Sequence, residues 1–316
     1  SLFVSPIYFW SPPQAFTDRQ MLFKDEVLNS NSIFRVEGNR VIFKKGQHRS
    51  DRDILIPENK EVIFEAGAEI DFLKGAKFIS YSPLAMLGAE DAPIKITSSD
   101  GSARGFTVFQ TKLPSKLSYV IFSGFNTLIE GGWKLTGAVN FYEAEVNLYR
   151  CVFGNNHCED ALNIIRSNFV MEKCLVINTP FDGFDCDFCI GEIKNSVFEN
   201  TKNDGMDFSG SVINVWNSKT YKNGDKGLSV GEDSEVNVFG LEVSNAVIGV
   251  ASKDLSTLVI ENIKMDNCDF GFAAYQKKPE FGPAHILVKN YEAKSVKRLY
   301  QIGPDCKLQM DGKFVK

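Results

Sequence analysis

The sequence lacks three features that mark common functional classes. It has no run of about 18 apolar residues, so we expect no transmembrane segment. It has no basic surplus, because 35 Lys and Arg residues face 40 Asp and Glu residues and the formal net charge is −5. Binding to a phosphate backbone calls for a basic patch, so we expect no nucleic-acid partner. Apolar residues at helical spacing are absent between residues 160 and 273, which excludes a helical repeat there.

Cysteine motifs with a clear chemistry are lacking as well. Seven cysteines are an odd number, so at least one has no partner within the chain. Cys186 and Cys189 form a C-x-x-C motif, but no second pair stands at metal-site spacing, which argues against zinc. Cys151 and Cys174 occupy equivalent places in neighbouring repeats, and we interpret them as buried thiols that pack as small apolar residues.

What the sequence contains is a short phrase that returns at a step of 22 residues (182 − 160 = 22). In most copies a small residue, usually Gly, precedes alternating apolar and polar residues, as in Gly205-Met206-Asp207-Phe208. The copies are Asp160–Asn163, Asp182–Asp185, Asp204–Asp207, Lys226–Ser229, Ile248–Ala251 and Phe270–Ala273. A period of about 20 to 50 residues indicates a solenoid, and the alternation indicates short strands with one buried face.

Two or three such strands per repeat leave no room for a helix. The sequence therefore predicts an all-β fold, a single-stranded, right-handed parallel β-helix with turns of about 22 residues. The right hand follows from the general preference of crossover connections between parallel strands. We predict an N-terminal cap over residues 1–35, the β-helix over 36–305, and a C-terminal cap or tail over 306–316. Because the chain begins with Ser, we expect a processed protein or a domain of a larger one.

A second periodic feature is a set of asparagines after the third strand of each repeat. Asn155, Asn178 and Asn200 stand at equivalent places in successive repeats. Stacked asparagine amides can hydrogen bond to one another, so we predict a ladder of them at an inward bend. The alternative is three unrelated turn residues, since Asn favours turns in general.

Strict alternation also predicts which polar side chains point outward together. If Phe184 and Cys186 point into the core, Asp185 must point out, and its equivalents in other turns lie about 4.8 Å apart along one face. One predicted column is Asn140, Asn163, Asp185, Asp207 and Ser229. A parallel column is Asp160, Asp182, Asp204 and Lys226. Neighbouring carboxylates raise one another's pKa, which suits general acid and base catalysis.

At these residues the chain resembles a known family. Asn178-Thr179 followed by Asp182-Gly183-Phe184-Asp185 is similar to the NTDGFD phrase of polygalacturonase-type glycoside hydrolases. Asn203-Asp204-Gly205 falls where that family has a paired Asp, and residues 224–231 resemble its G-H-G-x-S-x-G turn, with Lys226 in place of the His. The whole chain resembles β-helix repeat proteins of the pectate-lyase-like superfamily. The resemblance implies a groove centred on Asp182, Asp185, Asp204 and Asp207.

From these columns we predict a carbohydrate-active protein that acts on a polysaccharide by hydrolysis or by lyase elimination. The predicted catalytic residues are Asp182, Asp185, Asp204, Asp207 and Lys226. In hydrolysis Asp204 or Asp207 would be the acid, and Asp182 or Asp185 would activate water. In elimination Lys226 or Arg166 would be the base. The predicted substrate-binding residues are Asn140, Asn163, Arg166, Asp187 and Ser229.

Two further interpretations stay open at this point. Asp185, Asp187 and Asp207 offer hard oxygen ligands, so calcium is an alternative to a metal-free site. The aspartates could also serve only turn chemistry, in which case the chain would be a non-catalytic surface module that binds glycan or protein. Exposed Trp216, Tyr221 or Phe239 would favour such a module. For either function we expect an extracellular, cell-surface or periplasmic location.

Overall fold

The computed structural model describes residues 32–130 and 133–315, and over these residues it contains 32 β-strands and no helix. The strands are β1 (Phe34–Glu37), β2 (Arg40–Phe43), β3 (Gly46–Ser50), β4 (Ile54–Ile56), β5 (Glu61–Phe64), β6 (Ala68–Phe72), β7 (Phe78–Ser80), β8 (Leu84–Leu87), β9 (Ile94–Thr97), β10 (Phe106–Phe109), β11 (Ser115–Ser118), β12 (Val120–Ser123), β13 (Leu128–Glu130), β14 (Trp133–Leu135), β15 (Gly137–Tyr142), β16 (Val146–Tyr149), β17 (Val152–Gly154), β18 (Asp160–Ile165), β19 (Asn168–Glu172), β20 (Leu175–Thr179), β21 (Asp182–Asp187), β22 (Ile190–Lys194), β23 (Val197–Thr201), β24 (Met206–Ser209), β25 (Val212–Tyr221), β26 (Lys226–Gly231), β27 (Glu235–Lys253), β28 (Thr257–Tyr275), β29 (His285–Lys294), β30 (Arg298–Ile302), β31 (Lys307–Met310) and β32 (Lys313–Phe314).

The strands stack into three parallel sheets that wind as a right-handed solenoid of about 12 turns. Sheet I contains β4, β7, β10, β15, β18, β21, β24, β26, the last parts of β27 and β28, and β30. Sheet II contains β2, β5, β8, β11, β16, β19, β22, the first parts of β25, β27, β28 and β29, and β31. Sheet III contains β3, β6, β9, β12, β17, β20, β23 and the later parts of β25, β27, β28 and β29. The predicted parallel β-helix is confirmed.

The core lies inside the three sheets and is filled by side chains that stack from turn to turn. The ring centroids of Phe43 and Phe64 are 4.1 Å apart, as are those of Phe78 and Phe106. Cys151 and Cys174 are buried free thiols, as predicted. Each fully buried large apolar side chain contributes roughly 1.5–3 kcal/mol through removal from water, so the stacked interior is the main source of stability.

The corner after sheet III carries the asparagine ladder. The Asn178 Nδ2 donates to Asn155 Oδ1 at 3.2 Å, and Asn200 Nδ2 donates to Asn178 Oδ1 at 2.7 Å. All three residues have φ between 50° and 57°, a left-handed conformation that Asn tolerates better than most residues. The ladder is therefore confirmed, but the predicted inward orientation is wrong, because Asn155 and Asn178 are exposed. The corner requires a residue that tolerates a positive φ, and an asparagine whose side chain is exposed to solvent satisfies this requirement.

An antiparallel hairpin interrupts the solenoid between sheets III and I. It consists of β13 and β14, and its apolar side chains pack on the outer face of sheet I. The resulting apolar cluster contains Ile79, Tyr81, Phe109, Leu128, Leu135 and Tyr142. Alternation in residues 104–135 is weak, so this hairpin was not predicted. The hairpin covers the outer face of the N-terminal turns of sheet I, so less of this face is open to solvent there.

The two ends of the described chain are closed by antiparallel strands. At the N-terminal end β1 pairs with β2, and at the C-terminal end β32 pairs with β31, which itself stacks in parallel on β29. The predicted N-terminal cap lies outside the described residues except for residues 32–35. A search of the described residues for a helix long and apolar enough to cross a membrane finds none.

Candidate active site

Six aspartates lie on the outer face of sheet I, on three consecutive turns. They form what we call the acidic patch: Asp160, Asp182, Asp185, Asp187, Asp204 and Asp207. The side chains of Asp185, Asp187 and Asp207 point out because strand residues alternate, and the intervening Phe184, Cys186 and Phe208 are fully buried in the core. Asp160, Asp182 and Asp204 lie at or just before the starts of their strands, where simple alternation does not hold, because the backbone N–H groups of Gly183 and Phe184 both donate to the next turn. The register pairs Asp185 with Asp207 and Asp160 with Asp182 on adjacent strands. This pairing confirms the strand register that was predicted from the 22-residue step.

Outward side chains on this face form three columns. The first column contains Asp160, Asp182, Asp204 and Lys226. The central column contains Thr107, Asn140, Asn163, Asp185, Asp207, Ser229, Ala251 and Ala273. The third column contains Tyr142, Ile165, Asp187, Ser209, Gly231, Lys253 and Tyr275. The predicted central column from Asn140 to Ser229 is confirmed as a structural register.

In the first column, carboxylates accept hydrogen bonds from the next turn. Asp182 Oδ1 accepts from the Asp204 backbone N–H and from Asn203 Nδ2, both at 2.7 Å. Burial raises the pKa of Asp182 to about 6, although these two donors lower it. Burial likewise raises the pKa of Asp160 to about 7. Both groups therefore exchange protons near neutral pH, where an acid or base catalyst is most effective.

The same column ends in a buried ion pair. Lys226 Nζ lies 3.3 Å from Asp204 Oδ1, contacts Asp225 as well, and is 8% exposed, while Asp204 is 2% exposed. Burial raises the pKa of Asp204 to about 7 even though Lys226 lowers it. Burial lowers the pKa of Lys226, but the Asp204 and Asp225 carboxylates outweigh this effect and hold the pKa above its ordinary value. Lys226 is therefore a charged partner for Asp204 and a weak base near neutral pH.

The central column is held by Asn163. Its Nδ2 donates to Asp160 Oδ2 at 3.1 Å, to Asp185 Oδ2 at 3.2 Å and to Thr136 Oγ1 at 2.9 Å, while its buried Oδ1 has no partner among the described residues. Burial, followed by the charges of neighbouring aspartates, raises the pKa of Asp185 well above its ordinary value. Asp185 is half-buried and holds its proton more tightly than a free carboxyl does.

Asp207 has a different partner, Lys253. Lys253 Nζ lies 3.6 Å from Asp207 Oδ1, two turns away along the axis. The lysine can cross the intervening turn because Gly231 stands there, and a Cβ at Gly231 would lie 3.2 Å from Lys253 Cε. Sequence reasoning did not assign Lys253 to the site. The signal was the 22-residue step through Asp187, Ser209, Gly231 and Lys253.

Asp187 lies at the edge of the patch, beside Arg166 and Phe188. Burial raises the pKa of Asp187 to about 6, and the charges of Glu232 and Asp207 raise it further, while Lys278 and Arg166 lower it. Arg166 is ion-paired with Glu143 at 3.8 Å and lies 5.7 Å from the Phe188 ring centre. Lys278 is paired with Glu232. This edge combines paired charges with an exposed aromatic ring.

Three predicted substrate-binding residues are inaccessible. Asn140 and Ser229 are 0% exposed and Asn163 is 2% exposed. Asn140 Nδ2 donates to Gly137 O at 2.8 Å and to Thr107 Oγ1 at 3.2 Å, so its amide is used within the fold. Outward direction alone was an insufficient guide, because neighbouring side chains cover these positions. Among the predicted site residues, Asp182, Asp185, Asp187, Asp207 and Arg166 are half-buried and therefore partly accessible to solvent.

Two further sequence predictions concern a calcium site and exposed aromatic residues. Among the described residues, no group of three or more His, Cys, Asp or Glu side chains is arranged to hold a metal ion. The calcium site at Asp185, Asp187 and Asp207 stays a prediction. Trp216 and Phe239 lie on sheet II, half-buried and stacked on each other with ring centroids 4.0 Å apart, so they do not present two free aromatic faces.

Comparison with known proteins finds likeness in structure but not in sequence. No family model matches the chain, and no curated protein matches its sequence. The periplasmic alginate epimerase AlgG is 11% identical over 87% of this chain and 82% of its own, with a TM-score of 0.53. The enzymatically active domain of tailspike protein 2 from bacteriophage CBA120 is 11% identical over 87% of this chain and 48% of its own, with a TM-score of 0.53. At these identities the likeness shows the fold alone, a right-handed parallel β-helix.

Proposed function

We propose that this chain is a polysaccharide-active enzyme that hydrolyses a neutral glycan at the acidic patch. The observation that carries the proposal is the cluster itself, in which Asp160, Asp182, Asp187 and Asp204 have pKa values raised to about 6 or 7. Such perturbed carboxyls cluster at functional sites more often than at structural ones. The similar fold of an alginate epimerase, whose substrate is a polysaccharide, supports the substrate class.

The charge balance of the site favours a neutral substrate. Lys226, Lys253, Arg166 and Lys278 each contact a carboxylate of the chain. By contrast, within the described part of the chain no Lys or Arg lies in ion-pair distance of Asp160, Asp182, Asp185 or Asp187. The pKa values of Asp182 and Asp187 are about 6, so both groups are largely ionised near pH 7 and would repel an anionic polymer, whereas sugar hydroxyl groups can donate hydrogen bonds to them.

Asp185 and Asp207 are the pair we assign to acid and base roles. Asp185 retains its proton because burial raises its pKa, so it can protonate the glycosidic oxygen. Asp207 lies 3.6 Å from the Lys253 ammonium group and its side chain is 26% exposed, so we assign it the role of base or nucleophile. These roles differ from those expected from the sequence, where Asp207 was a candidate acid. The reason is Lys253, whose contact with Asp207 only the structure reveals.

The register suggests the stereochemical outcome. Asp185 and Asp207 are directly paired on adjacent parallel strands, whose backbones lie about 4.8 Å apart. Retaining glycosidases place their two carboxyl groups about 5–5.5 Å apart, and inverting enzymes about 6.5–9.5 Å apart. The direct pairing favours retention, with Asp207 as the nucleophile and Asp185 as the acid.

Elimination is less well supported. It would need a base that is neutral near pH 7, and Lys226 is held protonated by Asp204 and Asp225. Arg166, the other predicted base, is paired with Glu143 and donates to the Tyr142 hydroxyl at 3.4 Å. A guanidinium group does not release its proton in proteins. We therefore place hydrolysis ahead of elimination.

The test is a panel of neutral and anionic polysaccharides assayed for new reducing ends and for the ultraviolet absorbance of unsaturated products. The wild-type protein should release reducing ends from a neutral glycan without absorbance. Asp185→Asn and Asp207→Asn should each lower kcat by about 10²-fold or more, the usual share of one acid or base catalyst. Proton NMR of the first product should show the retained anomer.

The matched control is Glu242→Gln, which removes an exposed carboxylate on sheet III, where it pairs with Lys219 at 2.8 Å. It should leave the rate unchanged. Products that absorb ultraviolet light would show that the reaction is elimination and not hydrolysis. Absence of any product, with all three variants as stable as the wild-type protein, would leave the non-catalytic binding module as the better description.

A further inference from the structure

Between Thr107 and Ala273, the central column of sheet I is open to solvent at only two turns. Asp185 and Asp207 are half-buried. The outward residues on their N-terminal side are at most 2% exposed: Thr107, Asn140 and Asn163. Those on their C-terminal side are at most 1% exposed: Ser229, Ala251 and Ala273. Two adjacent strands span only about 5 Å along the axis, so the accessible floor is a short window.

Both axial ends of this window are occupied by side chains. Toward the N-terminus the apolar cluster and the hairpin strands β13 and β14 lie on the same face. Toward the C-terminus Lys226 and Lys253 reach back to Asp204 and Asp207. Tyr275 lies near these lysines. Burial raises the pKa of its hydroxyl group, and the nearby charge of Lys226 lowers it while that of Asp225 raises it. A glycan that ran along the solenoid axis would meet these groups at each end.

The direction along the strands is different, because an exposed aromatic ring stands at each end of β21. Phe181 precedes the strand and is 55% exposed, and Phe188 follows it and is 50% exposed. Seven residues of extended chain separate them, about 23 Å at 3.3 Å per residue. Aromatic side chains are common in ligand sites because their flat apolar faces pack against the ligand.

The neighbours of Phe181 in the next two turns indicate that it lies at one edge of the acidic patch, which we call a wall of the site. Asn203 and Asp225 occupy the same place in the next two turns, as the chain of backbone hydrogen bonds from Asp225 to Asn203 to Phe181 shows. Asn203 reaches the patch at Asp182, and Asp225 reaches it at Lys226. The Phe181 position therefore belongs to a column that borders the acidic patch.

Phe188 is held in place on the opposite wall. Its φ is 56°, a conformation that is uncommon for a bulky residue. The ring lies over Gly210, where a Cβ would come within 2.6 Å of Phe188 Cδ1, and the Arg166 guanidinium stands 5.7 Å from the ring centre. Gly210 therefore leaves the space that the ring occupies, with a large apolar face still exposed.

We propose that the glycan crosses sheet I along β21 and β24, at right angles to the solenoid axis, with sugar units stacked on Phe181 and Phe188 at the two walls. This inference rests on the proposed function. Asp182, Asp185 and Asp187 then face successive sugar units from below, and cleavage occurs at the centre of the bound chain. Long oligosaccharides contact both rings, and disaccharides held at the centre contact neither.

The experiment compares kcat/KM for laminarihexaose, cellohexaose and maltohexaose with that for the matching disaccharides. Phe181→Ala and Phe188→Ala should each raise KM for the hexasaccharide that the wild-type protein cleaves by about tenfold, equivalent to about 1.4 kcal/mol of binding free energy. The ratio of kcat/KM for the hexasaccharide to kcat/KM for the disaccharide should therefore fall in both variants. Phe181→Trp and Phe188→Trp should both show a fluorescence change when that hexasaccharide binds.

The control is Ile190→Ala, which removes an exposed apolar side chain on sheet II that is 63% exposed. It should behave as wild type on every substrate. If both Phe→Ala variants cleave the hexasaccharide as the wild-type protein does, the crossing direction is wrong and the hydrolytic function stands. If the wild-type protein cleaves none of the three hexasaccharides and no neutral polysaccharide of the panel, the hydrolytic function is overturned, whereas cleavage that is unaffected by both Phe→Ala variants overturns the crossing direction alone.

Discussion

Two parts of one sheet face can be compared directly, since the backbone is the same and only the side chains change. On the N-terminal turns of sheet I, outward positions hold the apolar cluster, in which Phe109 is 1% exposed and Tyr142 is 5% exposed. On the next three turns the same columns hold the acidic patch. The parallel register runs through both without a break, from β10 through β15 and β18 to β24.

The two regions of this surface differ in what their side chains contribute to the stability of the fold. The apolar cluster removes hydrocarbon from water under a hairpin, which stabilises the fold. The acidic patch half-buries carboxylates that repel one another, which costs free energy and raises their pKa values. Proteins commonly accept such local costs at functional sites. Four predictions test this contrast.

The largest effect is expected from Phe109→Ala in the apolar cluster. Deleting a buried phenyl ring should lower the free energy of unfolding by about 3–5 kcal/mol, because a cavity remains beneath the hairpin. Urea unfolding followed by circular dichroism measures the loss. Phe181→Ala, on the exposed wall of the acidic patch, should stay within about 0.5 kcal/mol of wild type. Equal losses in the two variants would remove the distinction between the regions.

The next effect is expected from Lys226→Met, which leaves Asp204 buried without its cation. Breaking a buried pair costs about 3–5 kcal/mol. The pKa of Asp204 is already about 7, and loss of Lys226 raises it further, so the variant can take up a proton. The destabilisation should therefore be larger near pH 8 than near pH 6. Lys219→Met breaks an exposed ion pair, so it should lower the free energy of unfolding by less than about 1 kcal/mol at both pH values. A pH-independent loss in Lys226→Met would contradict the account of Asp204.

A smaller effect is expected in the pH dependence of wild-type stability. The folded-state pKa of Asp187 is about 6, above the ordinary 3.8, so the folded protein binds this proton more tightly than the unfolded chain. This contribution is fully present below about pH 4 and is lost as the pH rises through about 6. Asp187→Asn should thus be more stable than wild type by about 1 kcal/mol near pH 8, with little gain near pH 4. Urea midpoints at the two pH values measure it, with Glu242→Gln as the unchanged control.

The smallest effect is expected from Gly231→Ala. The new Cβ would lie 3.2 Å from Lys253 Cε, so the lysine must shift and its contact with Asp207 weakens. We expect kcat/KM to fall a few-fold and stability to change by less than about 1 kcal/mol. Lys253→Met should cost more activity, and Gly231→Ala should add nothing to it in the double variant. Additive losses would show that Gly231 acts through something other than Lys253.

Much of the architecture was predictable because a parallel β-helix repeats one local pattern. The 22-residue step and the two-residue alternation were enough to assign the partners of Asp185 and Asp207 residue by residue. The hairpin of β13 and β14 was not predictable, because it interrupts the repeat and has no period of its own. The direction of the Asn155 ladder was wrong, because positive φ demands a residue type without specifying an inside or an outside.

The positions of the candidate site residues along sheet I were predictable, but their exposure and their partners were not. Alternation placed Asn140 and Ser229 on the outer face, yet neither is exposed, because cover from neighbouring side chains is not encoded in a strand pattern. Lys253 lies 46 residues from Asp207 in the chain (253 − 207 = 46), and the contact depends on a glycine in the turn between them. Such a contact has no local signature.

Periodicity in the sequence was sufficient for the fold class, the strand register and the line of aspartates, because each follows from local alternation repeated at a constant step. The tertiary structure decided which of these carboxylates are buried, which are ion-paired and which remain partly exposed. Burial and pairing depend on side chains that arrive from other turns and from the inserted hairpin, and these set the pKa of each aspartate through desolvation and charge.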